Sequence, residues 1–184
     1  MRWSSQGLQS TQRALVKEAL EYARFHGKGL PAGLFAKLES MLAADAIRIR
    51  RMRHRARYLS LPLFGSWIEL EPGSLGLETR YDWRAALAGC SGEGDERTHR
   101  EALIRAKAEQ SWLFVAAALV HEGTHAALGL TLKRKEDERA AYQAECRFLS
   151  NVLAANPAPL VRNAAQSLLG DARRDARDKE GLEL

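Results

Sequence analysis

A chain of 184 residues, 46% hydrophobic and 28% charged, has the length of one domain with a real core and the composition of an ordinary soluble globular protein. Its two cysteines, Cys90 and Cys146, lack C-x-x-C spacing and exclude a disulfide framework, and the longest apolar run is too short to span a membrane. The formal charge of +5 is localised, since residues 1–60 hold 12 Lys or Arg against 4 Asp or Glu while residues 61–184 hold 16 against 19.

Residues 10–26 place Leu15, Val16, Ala19, Leu20, Tyr22 and Ala23 at helical spacing and close at Gly27, and Pro31 opens a second helix through Leu34, Leu38 and Leu42. Both read as core helices. Arg48, Arg50, Arg51, Arg53, Arg55 and Arg57 then crowd together with His54. Such a cluster is a candidate contact for nucleic-acid phosphates, an anionic membrane or an acidic partner, and it fits a solvated helix end equally well; Tyr58 alone offers a ring for base stacking. Ser66–Glu71 alternates, Pro72-Gly73 offers a type II turn, and Leu75, Leu77, Thr79 and Tyr81 alternate again, which predicts a β-hairpin.

Residues 89–94 (GCSGEG) form a loop, and Thr98-x-x-Glu101 is a capping-box signal for the helix that leads, with or without a break, into the residues from 112 onward. Trp112–Val120 is apolar on every side, which in a helix means burial all round. Gly129 suits the residue that ends this helix. A second helical run starts near Glu136, stops at Asn156-Pro157-Ala158-Pro159, and is followed by a last amphipathic helix carrying Leu160, Val161, Ala164, Ala165, Leu168 and Leu169. The charged residues from Asp171 onward read as a solvated, frayed tail. The polar start Met1-Arg2-Trp3-Ser4-Ser5-Gln6 does not resemble a signal peptide, and the cytoplasm is the expected location.

The chemically specific stretch is His121-Glu122-Gly123-Thr124-His125, the pattern H-E-x-x-H. Two imidazoles four residues apart on a helix project from one face and can bind one metal ion. Glu122 beside them is placed as the general base that takes a water's proton, while zinc, in a site of this type, polarises the scissile carbonyl and acidifies the water. The motif lies inside a buried helix, where bare polar groups are costly and a metal ion satisfies them.

A hydrolytic zinc site usually takes three protein ligands. A third histidine six residues after the second is absent, since position 131 is Thr, and the nearest acidic candidates are Glu136, Asp137 and Glu138. If the chain turns at Gly129–Thr131, a second helix runs back antiparallel, and His125 and Glu138 lie roughly 6 Å and 10 Å from the turn at about 1.5 Å of rise per residue. Glu138 is favoured because small Ala141 at its i+3 position lets the helices approach. Glu145, seven residues on and on nearly the same face, is an alternative ligand or a group that orients a ligand histidine.

Over residues 112–146 the chain resembles the gluzincin class of metallopeptidases, in which H-E-x-x-H is followed by a glutamate ligand on a second helix. Asp137-Glu138-Arg139-Ala140-Ala141-Tyr142 can be laid over that second segment with Glu138 as the ligand. Asp137 stands where Asn is usual, and Tyr142 where the class often has an Asp that orients a ligand histidine, which leaves that role unassigned. The resemblance implies a zinc peptidase with an edge strand beside the metal, along which an extended peptide adds itself.

The expectation is therefore a mainly α (α+β), zincin-like single domain over residues 1–184, with a basic segment at 47–57 and a frayed tail at 171–184. His121, His125 and Glu138 hold zinc, Glu122 is the base, and Tyr142, Tyr81 and His99 are candidate oxyanion stabilisers for a peptide or protein substrate. Two other readings stand beside it. One is a non-catalytic zincin scaffold that contacts nucleic acid or a partner through the six arginines. The other is an effector protease exported by a signal-less route, a role in which bare zincin domains of this size occur.

Overall fold

The computed structural model describes residues 6–61, 65–73, 75, 95–129 and 134–183. These residues are mainly helical, with a small sheet. In chain order they form β1 (Gln6–Gly7), α1 (Ser10–Phe25), α2 (Leu34–Ala43), β2 (Ile47–Ile49), β3 (Ala56–Leu61), β4 (Gly65–Leu70), α3 (Asp95–Leu128), α4 (Arg134–Ala154) and α5 (Pro159–Glu180).

Helix α3 is the axis of the molecule. Its stretch Leu113–Val120 is buried apart from a partly covered Phe114, as an all-round apolar sequence demands. A helix buried on every side must be surrounded, and α3 packs against α1, α2, α4, α5, β3 and β4. From α1 come Val16, Ala19, Leu20 and Ala23, and from α2 Leu34, Leu38, Met41 and Leu42, all in one core with Phe148, Leu149 and Val152 of α4. Gly129 ends α3 at a φ of +73°, a conformation that costs glycine little.

The sheet order is β1-β2-β4-β3, with β2 parallel to β4 and the other two pairs antiparallel. Ile47, Ile68, Leu70, Ala56 and Tyr58 share the face packed on the helices. Alternation sends Arg48, Arg57, Trp67 and Glu69 to the opposite face. The Ile68 N–H donates to the Ala46 carbonyl at 2.8 Å and the Arg50 N–H to the Leu70 carbonyl at 3.0 Å. At those positions β4 bonds toward β2. Their antiparallel partners Tyr58 and Ala56 accordingly turn their backbone groups away from β4, toward the edge of β3 that no other described strand occupies.

Four features depart from the sequence expectation. First, the strand at 66–71 exists as β4, but both its edges are taken by β2 and β3, so it forms no hairpin with residues 75–81. The alternation was real; the partner lies upstream, in the arginine-rich segment. Leu75 sits buried in a turn, while Leu77, Thr79, Tyr81 and the expected loop at 89–94 lie outside the described residues. Second, the basic segment 47–57 is no helix end but β2, the start of β3 and their connection.

Third, Thr98 caps nothing, because α3 begins at Asp95 and runs unbroken to Leu128. Ile104, Ala106 and Ala108 are buried along it, and the helix reaches the motif without the break that the sequence left open. Fourth, the tail is not frayed: α5 continues to Glu180, and Ala172, Ala176 and Leu182 are buried against Tyr142 and Cys146. Two alanines one turn apart let the helix lie close, and Lys179 pairs with Asp175 at 2.8 Å along it.

Candidate metal centre

His121 and His125 are one turn apart on α3, their ring centroids 5.3 Å from each other. Glu138, on the first part of α4, brings one oxygen, Oε2, to 3.6 Å from His121 Nε2 and 3.7 Å from His125 Nε2. The three donor atoms lie within 4.8 Å of one another. Bonds of about 2.0–2.1 Å in a tetrahedron separate neighbouring ligand atoms by roughly 3.3–3.4 Å, so these spacings suit three corners around one ion. Glu136 and Asp137, the other acidic candidates, are not among the converging donors.

Glu145 is buried behind the first histidine, with Oε2 3.0 Å from His121 Nδ1. An acceptor at Nδ1 fixes the ring and leaves Nε2 aimed at Glu138. The helices are thereby shown to run antiparallel: His125 meets Glu138, while His121, one turn earlier, meets Glu145, two turns later. The Arg55 Nη2 group donates to the other oxygen of Glu145 at 3.1 Å. His125 Nδ1 is buried without a hydrogen-bond partner among the described residues.

Glu122 points to β3, where the Tyr58 backbone N–H donates to its Oε2 at 2.6 Å. Burial pushes the Glu122 carboxyl above its usual range, against the pull of His121, His125 and that N–H. Burial would lower His121, but its hydrogen bonds to Glu138 and Glu145 and the charge of Glu122 outweigh it, and His121 is pushed up to about 10. Hydrogen bonds from His121 and His125 hold Glu138 well below the usual carboxylate range. The polarity of the whole site favours positive charge between these groups. Glu122, Glu138 and Glu145 bring three carboxyl groups to the two histidines, with the Arg55 guanidinium on Glu145, a donor set that suits a cation.

The remaining motif residues have structural tasks. The Thr124 hydroxyl is buried and donates to the Val120 carbonyl at 2.7 Å. Gly123 faces α2 so closely that an added Cβ would lie 2.8 Å from methyls of both Leu34 and Leu38.

Around the donors lies a cleft of about 420 Å³, walled by Arg53–Tyr58 on one side and by Asp175, Lys179 and Glu180 of α5 on the other. Tyr142 packs edge-on against His121 with centroids 4.6 Å apart. Burial and the surrounding carboxylates, Asp175 first among them, raise its phenol well above the usual value, so it stays a neutral donor. Tyr81 and the His99 side chain, the other oxyanion candidates, lie outside the described residues.

The six arginines are divided among several contacts. Arg48 stacks over Trp67 at 5.3 Å, Arg50 and Arg57 bind the buried Glu69 at 3.5 Å and 2.6 Å, and Arg55 binds Glu145. Arg51 and Arg53 are exposed, and Arg53 with His54 lines the cleft. Sequence reasoning missed Arg55 and Tyr58 as parts of the site. Nothing local marks them, because their contacts reach 90 and 64 residues along the chain.

No family model matches the chain, and neither the curated proteins nor the solved structures contain a match to it. Among the described residues no helix is long and apolar enough to cross a membrane.

Proposed function

We propose that this protein is a zinc-dependent peptidase of gluzincin type. The observation that carries the reading is the convergence of His121 Nε2, His125 Nε2 and Glu138 Oε2 beside a buried carboxylate, Glu122, on an H-E-x-x-H helix. Two imidazoles and one carboxylate are the donor set of a hydrolytic zinc site that keeps a corner for substrate or water. When bound, zinc supplies the Lewis acid that polarises a carbonyl and acidifies a water.

The chain's own groups supply the rest. Tyr58 occupies Glu122 Oε2, which leaves Oε1 to accept the proton of the attacking water and to return it to the departing amine. Glu145 and the Tyr142 ring hold His121 in place from two directions. The edge of β3 that no other described strand occupies offers backbone donors and acceptors, at Ala56 and at the Tyr58 carbonyl, against which an extended peptide can pair. Tyr142, neutral and at the cleft wall, is the described side chain best placed to donate to a carbonyl oxygen that gains charge.

Glu122→Gln separates this reading from a non-catalytic zinc scaffold. The variant is expected to retain zinc and to lose at least about 100-fold in cleavage of a denatured protein or a peptide library. Undiminished cleavage by the zinc-loaded variant would refute Glu122 as the base, and a zinc-loaded wild type that cleaves no peptide bond in any such pool would refute the peptidase assignment.

A further inference from the structure

The segment Arg55–Tyr58 touches the site twice within one turn of sequence: Arg55 at Glu145 and Tyr58 at Glu122. We infer that Arg55 is a positioning residue of the metal centre, acting through Glu145 on His121 to set how tightly the centre holds a divalent cation. The inference rests on the zinc reading above, but concerns a residue that the H-E-x-x-H pattern and the second-helix glutamate say nothing about.

Glu145 is 1% exposed, and a carboxylate so deep in the protein needs a counter-charge and hydrogen bonds on both oxygens. Oε2 has His121 Nδ1 at 3.0 Å and Oε1 has Arg55 Nη2 at 3.1 Å, so the two contacts use the two oxygens and pin the carboxylate plane between strand and helix. A guanidinium does not release its proton in a protein. Arg55 is therefore a fixed positive charge opposite Glu145.

Its other terminal nitrogen, Nη1, is buried without a hydrogen-bond partner among the described residues. The only directed ion pair that Arg55 makes among those residues is the one to Glu145. The effect on the ligand follows. With Arg55 in place, Glu145 is anchored from behind and its free lone pairs aim at Nδ1, which holds His121 in the tautomer and orientation that present Nε2 to the ion. Without Arg55 the carboxylate has one tether and can turn.

Arg55 directly precedes the strand that supplies the Tyr58 N–H, so entry of β3 into its place organises a ligand and the base together. This gives the arginine-rich segment a task inside the protein: among its residues, Arg50 and Arg57 build the sheet face around Glu69 and Arg55 builds the metal centre.

The test titrates the metal-free full chain with zinc against a chromophoric chelator and records the visible bands of the cobalt(II)-substituted protein. Arg55→Gln, which keeps one donor and loses the charge, is expected to weaken zinc binding about tenfold, the lower end of what a group behind a ligand contributes, and to shift the cobalt bands. Arg55→Lys, which keeps the charge, is expected to weaken it less. In a Glu145→Gln background, Arg55→Gln is expected to cost nothing further.

Wild-type zinc affinity with wild-type cobalt bands in Arg55→Gln overturns the inference, and should that variant not fold, the same pair of results in Arg55→Lys overturns it. A lysine as weak as the glutamine, or a full tenfold cost in the Glu145→Gln background, contradicts action through that charge pair. A wild type that binds no zinc instead removes the peptidase reading itself, and the two failures are distinct.

Discussion

Gly123→Ala tests how closely the motif helix is seated. An alanine in mid-helix normally stabilises by roughly 0.5–1 kcal/mol relative to glycine. Here the new methyl would meet Leu38 at 2.8 and 2.9 Å and Leu34 at 2.8 Å, and both leucines are fully buried. Although these atoms are side-chain ends, close packing gives them nowhere to move, and overpacking of this kind costs about 1–3 kcal/mol. The net expectation is a destabilisation near 1 kcal/mol, or about 2–4 °C in Tm for a chain of this size.

Leu38→Ala alone is expected to cost about 2–5 kcal/mol, but it removes two of the three close contacts, so adding Gly123→Ala to it should cost nothing or stabilise. Urea unfolding of the metal-free wild type, the two single variants and the double variant measures the coupling, expected to be about 1–2 kcal/mol. A Gly123→Ala protein more stable than wild type, or an equal effect in both backgrounds, would show that α2 and α3 are not in contact as described.

Two further outcomes follow from other parts of the molecule. Leu182→Ala, at a residue 1% exposed against Tyr142 and Ala176, should cost about 2–5 kcal/mol in urea unfolding, whereas a frayed tail would give no measurable change. Burial raises the Glu69 carboxyl, but hydrogen bonds from Trp67 and Arg57 and the charges of Arg57 and Arg50 outweigh it and hold it below its usual range. Its contribution to stability is then fully present above the unfolded-state pKa of about 4.3 and is lost as pH falls through the lower folded value. Unfolding free energies below pH 5 should thus decline more steeply for wild type than for Glu69→Gln, and identical acid slopes would contradict the role given to the Arg50, Arg57 and Trp67 contacts.

What the sequence made legible is what local periodicity encodes. The H-E-x-x-H spacing puts two histidines on one face whatever the surrounding fold, and the antiparallel return after Gly129 brings Glu138 to them because both distances from the turn are set by helix rise. Glu145 was visible for the same reason, as a residue two turns beyond Glu138. Which of its two expected roles it takes was not, because its contact with His121 Nδ1 goes with a second contact to Arg55, 90 residues away.

Long-range pairing was the illegible part. Residues 47–57 carry too many arginines to look like strands when read alone, and the buried Glu69 and Glu145 on distant elements are what pair three of them, Arg50, Arg57 and Arg55. The parallel pairing of β2 with β4 leaves no local turn signal. At the other end, Ala172 and Ala176 sit among charges that suggested a solvated tail, yet their small size is what allows α5 to close over Tyr142. In each case a residue's role was set by a partner far along the chain.

The central claim is that His121, His125 and Glu138 hold one zinc ion beside Glu122. Its most direct test is the metal content of the purified full chain, measured by mass spectrometry after zinc loading and gel filtration, for wild type, Glu122→Gln, His125→Ala and Glu138→Ala. The account predicts about one zinc per chain in wild type and Glu122→Gln, and at least about a hundredfold weaker binding, read as near-empty protein, in the two ligand variants. A wild type that emerges without zinc, or a Glu138→Ala protein that keeps a full equivalent, would contradict it.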